Sequence, residues 1–348
     1  MAKSAVKLTD IGEQLGLSVS TVSSVLNGRN TRHSPATKRR VWDLAQKLDY
    51  RPNYAARSMR TQRTSTIGII APLLSTELDE MEDACSSSGY TMSIGLFHND
   101  RERQAARILE FKQKHIDGLL VLHPLKKSPA VNDLQDYDYP VVVVDVVDNY
   151  PGIDTFFIGV EKAVCLAMEH LQSLGHRRIA LLTHHGESDY GQIRFENWCK
   201  MMRASGVQNY QDYYYPTKSK YPNVEYILNS AYQSAKAITM KYEKSDKSRP
   251  TAVLAVADKL AIPAVRAFEE SGWSVPRDIS IISAESSEYG RYCSTPLTSI
   301  CTNDRTIHNE ALVHLISLIE NRNQGPRPLK KFTDIELQTG SSTLQISF

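Results

Sequence analysis

The sequence has no hydrophobic run long enough to cross a membrane. Its longest strongly apolar stretches, such as VVVVDVV at 141–147, have the length of a β-strand. The first residues, MAKSAVK, lack the apolar segment of a signal peptide. The five cysteines among 348 residues are scattered, without the spacing of a metal site or a CxxC redox motif. We therefore expect a cytoplasmic protein with ordinary reduced thiols and no membrane partner.

Sequence motifs of catalysis are also missing. The chain contains no Gly-x-Ser-x-Gly nucleophile elbow, no P-loop and no Gly-x-Gly-x-x-Gly after a predicted strand. His184 and His185 end a predicted strand, and paired histidines can bind metal, but no spaced Cys, His or carboxylate accompanies them. We therefore expect no enzymatic activity, no metal and no cofactor.

Charge is distributed unevenly along the chain. Residues 1–63 hold twelve Lys and Arg against four Asp and Glu, a net charge of +8, whereas the whole chain carries +2. Residues 64–348 therefore carry −6. A small basic module attached to an acidic body is typical of a protein that binds nucleic acid through the module.

Residues 8–27 of the basic module predict two short helices with a tight turn between them. We expect Thr9 to cap the first helix, Gly16 to end it in the left-handed conformation, and Ser18 to cap a second helix from about Val19 to Leu26. Val22, Val25 and Leu26 recur at helical spacing and would face inward. The outward face is then small and polar, which suits a DNA major groove. Helix pairs of this kind also occur in many proteins that bind no DNA.

A third helix is predicted from about Pro35 to Leu48. Ser34 and Pro35 form a strong helix start. Val41, Leu44, Ala45 and Leu48 share one face, which can close a three-helix core over the first two helices. The other face is basic and can reach phosphates; it carries Lys38, Arg39, Arg40 and Lys47.

Residues 6–63 resemble the DNA-binding headpiece of the lactose/galactose-repressor (LacI/GalR) family of bacterial transcription regulators. The matching pieces, in order, are TDIGEQLGLSVSTVSSVLNG, SPATKRRVWDLAQKLDYRPN and AARSM. The resemblance implies a repressor that binds a palindromic operator in double-stranded DNA as a homodimer and responds to a small-molecule effector. Two features depart from the family: the loop NGRNTRHS is one residue longer, and Ser24 stands where an arginine often reads bases.

The resemblance also implies which residues contact DNA. Val19 would touch a thymine methyl, and Ser20 and Ser24 would bond to base edges. The full set comprises Thr9, Ser18, Val19, Ser20, Thr21, Ser23, Ser24, Asn27, Ser34 and Thr37 in the headpiece, and Asn53, Tyr54, Arg57, Met59 and Arg60 after it.

The segment YAARSMR after the headpiece is only about two helical turns long. Helices this short are marginal in water, so a disordered linker is one interpretation. By resemblance the segment is a hinge helix that orders on DNA. Met59 would then insert between base steps in the minor groove and kink the duplex.

Beyond Thr66, short apolar runs alternate with helical ones, which indicates parallel sheets covered on both faces. Eight or more strands are more than a single sheet of this kind usually holds, so we expect two similar α/β halves. The predicted strands are TIGIIA (66–71), TMSIGLF (91–97), GLLVL (118–122), VVVVDV (141–146), IALLT (179–183), AVLAV (252–256), ISIIS (279–283) and TSICT (298–302).

The fold class is therefore α/β: an all-α helix-turn-helix headpiece (1–50), a hinge helix and linker (51–64), and an effector-binding and dimerisation domain (65–348). The resemblance implies a periplasmic-binding-protein-like core with two lobes and three chain crossings between them. Lobe 1 would hold about 65–157 and 296–327, and lobe 2 about 158–295 and 328–348.

Ligands of open parallel sheets bind beyond the carboxyl ends of the strands, which the resemblance places in the cleft between the lobes. It implies that Arg194 binds hydroxyls or carboxylates. Ala257-Asp258 replaces an asparagine–aspartate pair, and Glu285 replaces an aspartate, so an ordinary sugar site is not expected. Tyr190 could stack on a ring, although single tyrosines more often serve packing. We expect a sugar-like or acidic effector.

Two alternatives to a ligand-controlled regulator stay open. In one, the chain is a cytoplasmic solute-binding sensor whose small-molecule response is lost or replaced by a protein partner. In the other, it is a solute-binding protein without a regulatory role, against which the missing export signal counts.

Overall fold

The structure, a computed structural model, describes residues 6–26, 33–50, 63–74, 77–125, 131, 133–145, 150–183, 189–216, 224–321 and 328–346. The chain divides into two compact units, Met1–Thr64 and Ser65–Phe348. We call them the headpiece and the core. No helix in the described ranges has the length and apolarity that crossing a membrane requires. Six of the predicted DNA contacts lie outside the described residues: Asn27, Asn53, Tyr54, Arg57, Met59 and Arg60.

The headpiece contains the three helices that the sequence predicts: α1 (Leu8–Leu15), α2 (Val19–Leu26) and α3 (Pro35–Lys47). Gly16 ends α1 with φ 65°, in the left-handed region that glycine tolerates best. Ser34 caps α3 by accepting the Thr37 backbone N–H at 3.2 Å. The helices close on a small apolar core, as predicted, formed by Ile11, Val22, Val25, Val41 and Ala45.

The predicted cap of α1 is wrong. The helix begins one residue before Thr9, and Lys7 is its N-cap. The Lys7 backbone N–H donates to Asp10 Oδ2 at 2.8 Å, because a carboxylate in the first turn can reach back to the N-cap amide. Thr9 therefore lies inside the first turn with its side chain exposed.

The core holds two sheets of six described strands each. The strands of the first sheet are β1 (Thr66–Ala71), β2 (Thr91–Leu96), β3 (Gly118–Leu122), β4 (Val141–Asp145), β5 (Asp154–Phe157) and β11 (Lys330–Phe332). Those of the second are β6 (Ile179–Thr183), β7 (Tyr214–Pro216), β8 (Ala252–Ala255), β9 (Ser280–Ser283), β10 (Thr298–Cys301) and β12 (Glu336–Gln338). The strand orders are β11-β5-β4-β3-β1-β2 and β12-β10-β9-β8-β6-β7.

The two lobes thus repeat one topology, which confirms the prediction of two similar α/β halves. Strands β3, β4 and β6 are buried along their whole length, as continuous Val, Ile and Leu runs require. Among the described residues, the strand pairs are parallel except β10 with β12. The sequence did not predict β5, β7, β11 and β12, because their three or four residues (DTFF, YYP, KKF and ELQ) do not form a continuous Val, Ile or Leu run.

Helices cover both sheets. Those that pack with the first sheet are α4 (Glu77–Ser87), α5 (Arg101–Gln113) and α10 (Asp304–Ile319). Those that pack with the second are α6 (Val160–Ser173), α7 (Asp189–Ala204), α8 (Val224–Lys241) and α9 (Asp258–Glu270). The sheets have separate apolar cores, so each lobe is stabilised largely by its own packing.

The chain crosses between the lobes after β5, after β10 and after β11, which gives the three crossings expected. The crossing segments bond to one another: the Gly159 N–H donates to Thr333 Oγ1 at 3.3 Å, and Asn303 Nδ2 donates to the Asp334 carbonyl at 2.9 Å. The expected lobe boundaries near the C-terminus need correction. Residues 298–301, expected in lobe 1, pair with β9 in the second sheet, and residues 330–332, expected in lobe 2, pair with β5 in the first.

His176 is a buried histidine of the second lobe with a hydrogen-bond partner at each ring nitrogen. Its Nδ1 lies 3.0 Å from Thr251 Oγ1, and its Nε2 lies 3.0 Å from the Leu344 carbonyl oxygen. Burial lowers the pKa of His176 from 6.5 to about 4. Between these values the unfolded chain binds the proton and the folded chain does not, so stability is complete above pH 6.5 and decreases as the pH falls.

We therefore expect the free energy of unfolding of the core to fall by up to roughly 3 kcal/mol between pH 6.5 and pH 4 through this side chain. Urea unfolding at several pH values measures the slope. His176→Gln keeps hydrogen-bonding capacity but does not titrate, so its slope should be shallower than that of the wild type. Equal slopes would show that His176 has no such role.

Candidate functional site

The N-terminal end of α2 presents a cluster of hydroxyl groups. Ser18 caps the helix, as predicted, by accepting the Thr21 backbone N–H at 3.1 Å. The Ser18 hydroxyl also lies 2.8 Å from both Ser20 Oγ and Thr21 Oγ1. Val19 is 44% exposed beside this cluster, and Ser18 and Ser20 are exposed too. This helix end therefore offers hydroxyl donors and acceptors and one methyl-bearing side chain to a partner surface.

The other described DNA-contact candidates of the headpiece have intermediate or high exposure. Ser23 and Ser24, one turn further along α2, are half-buried because they flank the inward-facing Val22 and Val25. Ser34, the N-cap of α3, and Thr37, in its first turn, have their hydroxyls 2.9 Å apart. The structure thus puts polar groups at the N-terminal ends of two helices, where backbone N–H groups favour phosphate oxygens.

A second candidate site lies in the core, at the carboxyl ends of the parallel strands. In both sheets the strand order reverses at one place, between β1 and β3 and between β6 and β8, which is where such folds bind ligands. A cavity of about 840 Å³ opens between the lobes. Its lining includes Leu74 and Asp304 from the first lobe, and Lys259 and Glu285 from the second.

Arg194, on α7, forms the central ion pair of this site. Its Nη2 donates to Glu285 Oε2 at 2.6 Å, and its guanidinium lies 5.6 Å from the ring centre of Tyr190. Arg194 is only 6% exposed, whereas the Glu285 side chain is 39% exposed and lines the cavity. Arg194 Nε has no hydrogen-bond partner among the described residues. The structure therefore brings three of the predicted effector contacts together.

The remaining two predicted contacts, Ala257 and Asp258, are buried at the start of α9. Asp258 Oδ2 accepts the Ser287 backbone N–H at 2.6 Å and the Ser287 hydroxyl at 2.9 Å. Burial raises the pKa of Asp258, although the bonds from Ser287 act in the opposite direction. Asp258 thus holds the loop that carries Glu285, since its own backbone N–H also donates to the Glu285 carbonyl at 3.1 Å.

Two histidines between the lobes were not predicted from the sequence. His123 directly follows β3, and its Nδ1 bonds to the Tyr190 hydroxyl. His308, on α10, approaches it from the other side, with the two Nε2 atoms 3.2 Å apart. The position of His123 at a strand end was a signal that could have found it, whereas nothing local marks His308. Among the described residues, no group of three His, Cys, Asp or Glu side chains could hold a metal ion.

Two family models match this chain, one in each part. Residues 7–53 match the family model of bacterial regulatory proteins of the lacI family, and residues 168–343 match that of the periplasmic binding protein-like domain. An HTH-type transcriptional repressor PurR from Aliivibrio fischeri (strain MJ11) is 28% identical over 97% of this chain and 98% of its own length. A PurR from Edwardsiella ictaluri (strain 93-146) is 30% identical over 84% of each chain.

A solved structure has the same fold. The Lac repressor dimer bound to operator and the anti-inducer ONPF superposes with a TM-score of 0.78, at 23% identity, over 98% of this chain and 100% of that one. The predicted architecture of a helix-turn-helix module and a periplasmic-binding-protein-like core is thereby confirmed. The chain belongs to the lacI family of bacterial regulatory proteins.

Proposed function

We propose that this chain is a transcriptional repressor that binds a palindromic operator in double-stranded DNA as a homodimer and responds to a small-molecule effector. The observation that carries the proposal is the exposed hydroxyl cluster at the start of α2, held on a closed three-helix core in a basic module. A relative of the same fold is a dimer bound to operator. We propose no catalytic activity, and we propose the cytoplasm as the compartment, since the operator DNA lies there.

The residues of the headpiece divide between positioning and sequence recognition. Val19, Ser20 and Ser24 would contact base edges in the major groove, with the Val19 methyls against a thymine methyl. Thr9 and Ser23 would share in sequence recognition. Ser34 and Thr37 would contact phosphates together with Ser18 and Thr21, and such contacts fix the register without reading sequence. Asn27, Asn53, Tyr54, Arg57, Met59 and Arg60 complete the proposed interface.

The ion pair between Arg194 and Glu285 indicates which class of effector the cleft can bind. Glu285 already neutralises Arg194 at 2.6 Å, so an acidic ligand would have to displace or approach a carboxylate. A ligand with hydroxyl groups can instead donate to Glu285, which lines the cavity, while the buried Arg194 holds that carboxylate in place. We therefore favour a hydroxyl-bearing effector over an acid. This effector would be held without a side-chain amide contact at position 257, because Ala257 has no polar side chain.

The proposal is tested by selecting operators from random duplex DNA with the full chain. We expect an enriched site with twofold symmetry, and sedimentation should give two chains per duplex. Ser20→Ala should change base preference at one position of each half-site, with a loss of about 1–3 kcal/mol for the original base. Thr37→Ala, at a proposed phosphate contact, should weaken binding alike for all sequences. Failure to enrich any site would contradict the proposal.

A further inference from the structure

Three side chains form a continuous hydrogen-bonded chain across the cleft of the core. We propose that Tyr190, His123 and His308 act as a latch that holds the two lobes together when no effector is bound. The latch itself is independent of the proposed DNA-binding role. An effector entering the cleft would then act on a closed core and have to rearrange the latch.

The latch joins elements that belong to different lobes. Tyr190 lies in the first turn of α7, which packs on the second sheet through Trp198 and Met202. His123 follows β3, and His308 lies on α10, both in the first lobe. Tyr190 and Ile193 also pack against the apolar core of the first lobe. The N-terminal turn of α7 is therefore held by the lobe opposite to its own.

The geometry of the rings favours a directed chain of hydrogen bonds. The His123 ring lies 5.0 Å from that of Tyr190 at 88°, and 5.0 Å from that of His308 at 66°. If the Tyr190 O–H donates to His123 Nδ1, then His123 Nε2 carries the proton and donates to His308 Nε2. Each of the three groups can both donate and accept, so every bond of the chain has one proton.

The protonation states support this arrangement. Burial lowers the pKa of His123 well below its usual value, and the nearby His308 and Arg194 lower it further. Burial raises the pKa of Tyr190, with additional contributions from Asp145 and Asp304. At neutral pH the His123 ring is therefore uncharged and the tyrosine keeps its proton, which are the forms that the hydrogen-bonded chain requires.

The backbone of His123 adopts a conformation that is unfavourable for a residue other than glycine. Its φ is 51°, in the left-handed region that costs a non-glycine residue roughly 1–2 kcal/mol. Its N–H donates to the Val144 carbonyl at 2.8 Å, which anchors the turn to β4. The His123 side chain on this turn bonds to Tyr190. Strained positions of this kind persist only where the surrounding contacts fix them.

Hydrogen–deuterium exchange of the full chain tests the latch. Tyr190→Phe removes the hydroxyl but keeps the ring and its packing, so only the link to His123 is lost. We expect amide exchange in residues 189–195 to become at least about threefold faster, and small-angle scattering to show a larger radius of gyration. His308→Ala leaves the Tyr190–His123 bond in place and removes only the support of His123 within the first lobe, so its effect should be smaller. His308→Gln, whose amide can both accept and donate, should restore most of the protection.

Tyr232→Phe is the matched control. It removes the hydroxyl of another second-lobe tyrosine, which bonds to Glu270 within that lobe. Its exchange in residues 189–195 should match the wild type. The latch is disproved if Tyr190→Phe also matches the wild type there. Operator binding, measured on the same proteins, is a separate outcome: its absence from the wild type would remove the repressor proposal and leave the exchange result unaffected.

Discussion

Val22→Asp should reduce operator affinity more than a hundredfold, or about 2.8 kcal/mol. Val22 is fully buried at the centre of the headpiece core, against Ile11, Val25 and Val41. An aspartate there would leave a carboxylate without a partner, at a cost of several kcal/mol. A three-helix module this small has only a few kcal/mol of stability, so it would unfold. Fluorescence anisotropy with labelled operator measures the loss.

The matching control separates unfolding from charge repulsion. Gln46→Asp places the same charge on the same module, but at an exposed position of α3. It should weaken binding only severalfold, and less at higher salt, because a single surface charge is screened. Calorimetry of Val22→Asp should retain the unfolding transition of the core. If Val22→Asp bound operator like Gln46→Asp, then the three-helix core would not be needed for DNA binding.

The buried ion pair of the cleft should respond unequally to removal of its two partners. Glu285→Ala leaves Arg194, which is 6% exposed, without its carboxylate. We expect the free energy of unfolding to fall by about 1–2 kcal/mol, a value reduced because water reaches the half-exposed side of the pair. Arg194→Met keeps most of the volume and leaves a carboxylate that water can solvate, so it should cost less than about 1 kcal/mol.

Urea unfolding measures both variants, with Lys244→Met as control. Lys244 forms an ion pair of the same length, 2.6 Å, with Asp278 on the exposed surface of the second lobe. Its removal should change stability by less than about 0.5 kcal/mol. Equal losses for Glu285→Ala and Lys244→Met would mean that burial of Arg194 has no energetic consequence.

Arg194→Met should also abolish the response to the effector. A thermal-shift screen of sugars, polyols, sugar acids and phosphorylated sugars identifies compounds that raise the melting temperature of the wild type. A true ligand should lose its shift in Arg194→Met, because the site would keep a carboxylate but lose its planar donor. If no compound shifts the wild type and operator affinity never responds, the effector is excluded while DNA binding stands.

Local sequence signals were sufficient to predict helix ends and buried strands, which depend on residues close together in the chain. The hydroxyl of Ser34, the proline after it and the glycine at Gly16 fixed helix ends in the headpiece, since caps act within one turn. Continuous apolar runs located β3 and β6 to the residue. The cap of α1 was predicted at the wrong residue, because Asp10 accepts the Lys7 N–H and the helix begins before Thr9.

The cleft depended on contacts that no local pattern encodes. Arg194 and Glu285 are ninety-one positions apart, and His123 and His308 are one hundred and eighty-five apart. The strand β11 is too short and too polar to be predicted from the sequence. Its pairing with β5 places that segment in the first lobe. The sequence by itself therefore determined the helix-turn-helix module, the α/β class and the family. Only the tertiary structure decided that Arg194 pairs with Glu285 and that Tyr190 links the lobes through His123. The chain crossings bring these distant residues together, and polar groups that are buried there need hydrogen-bond partners.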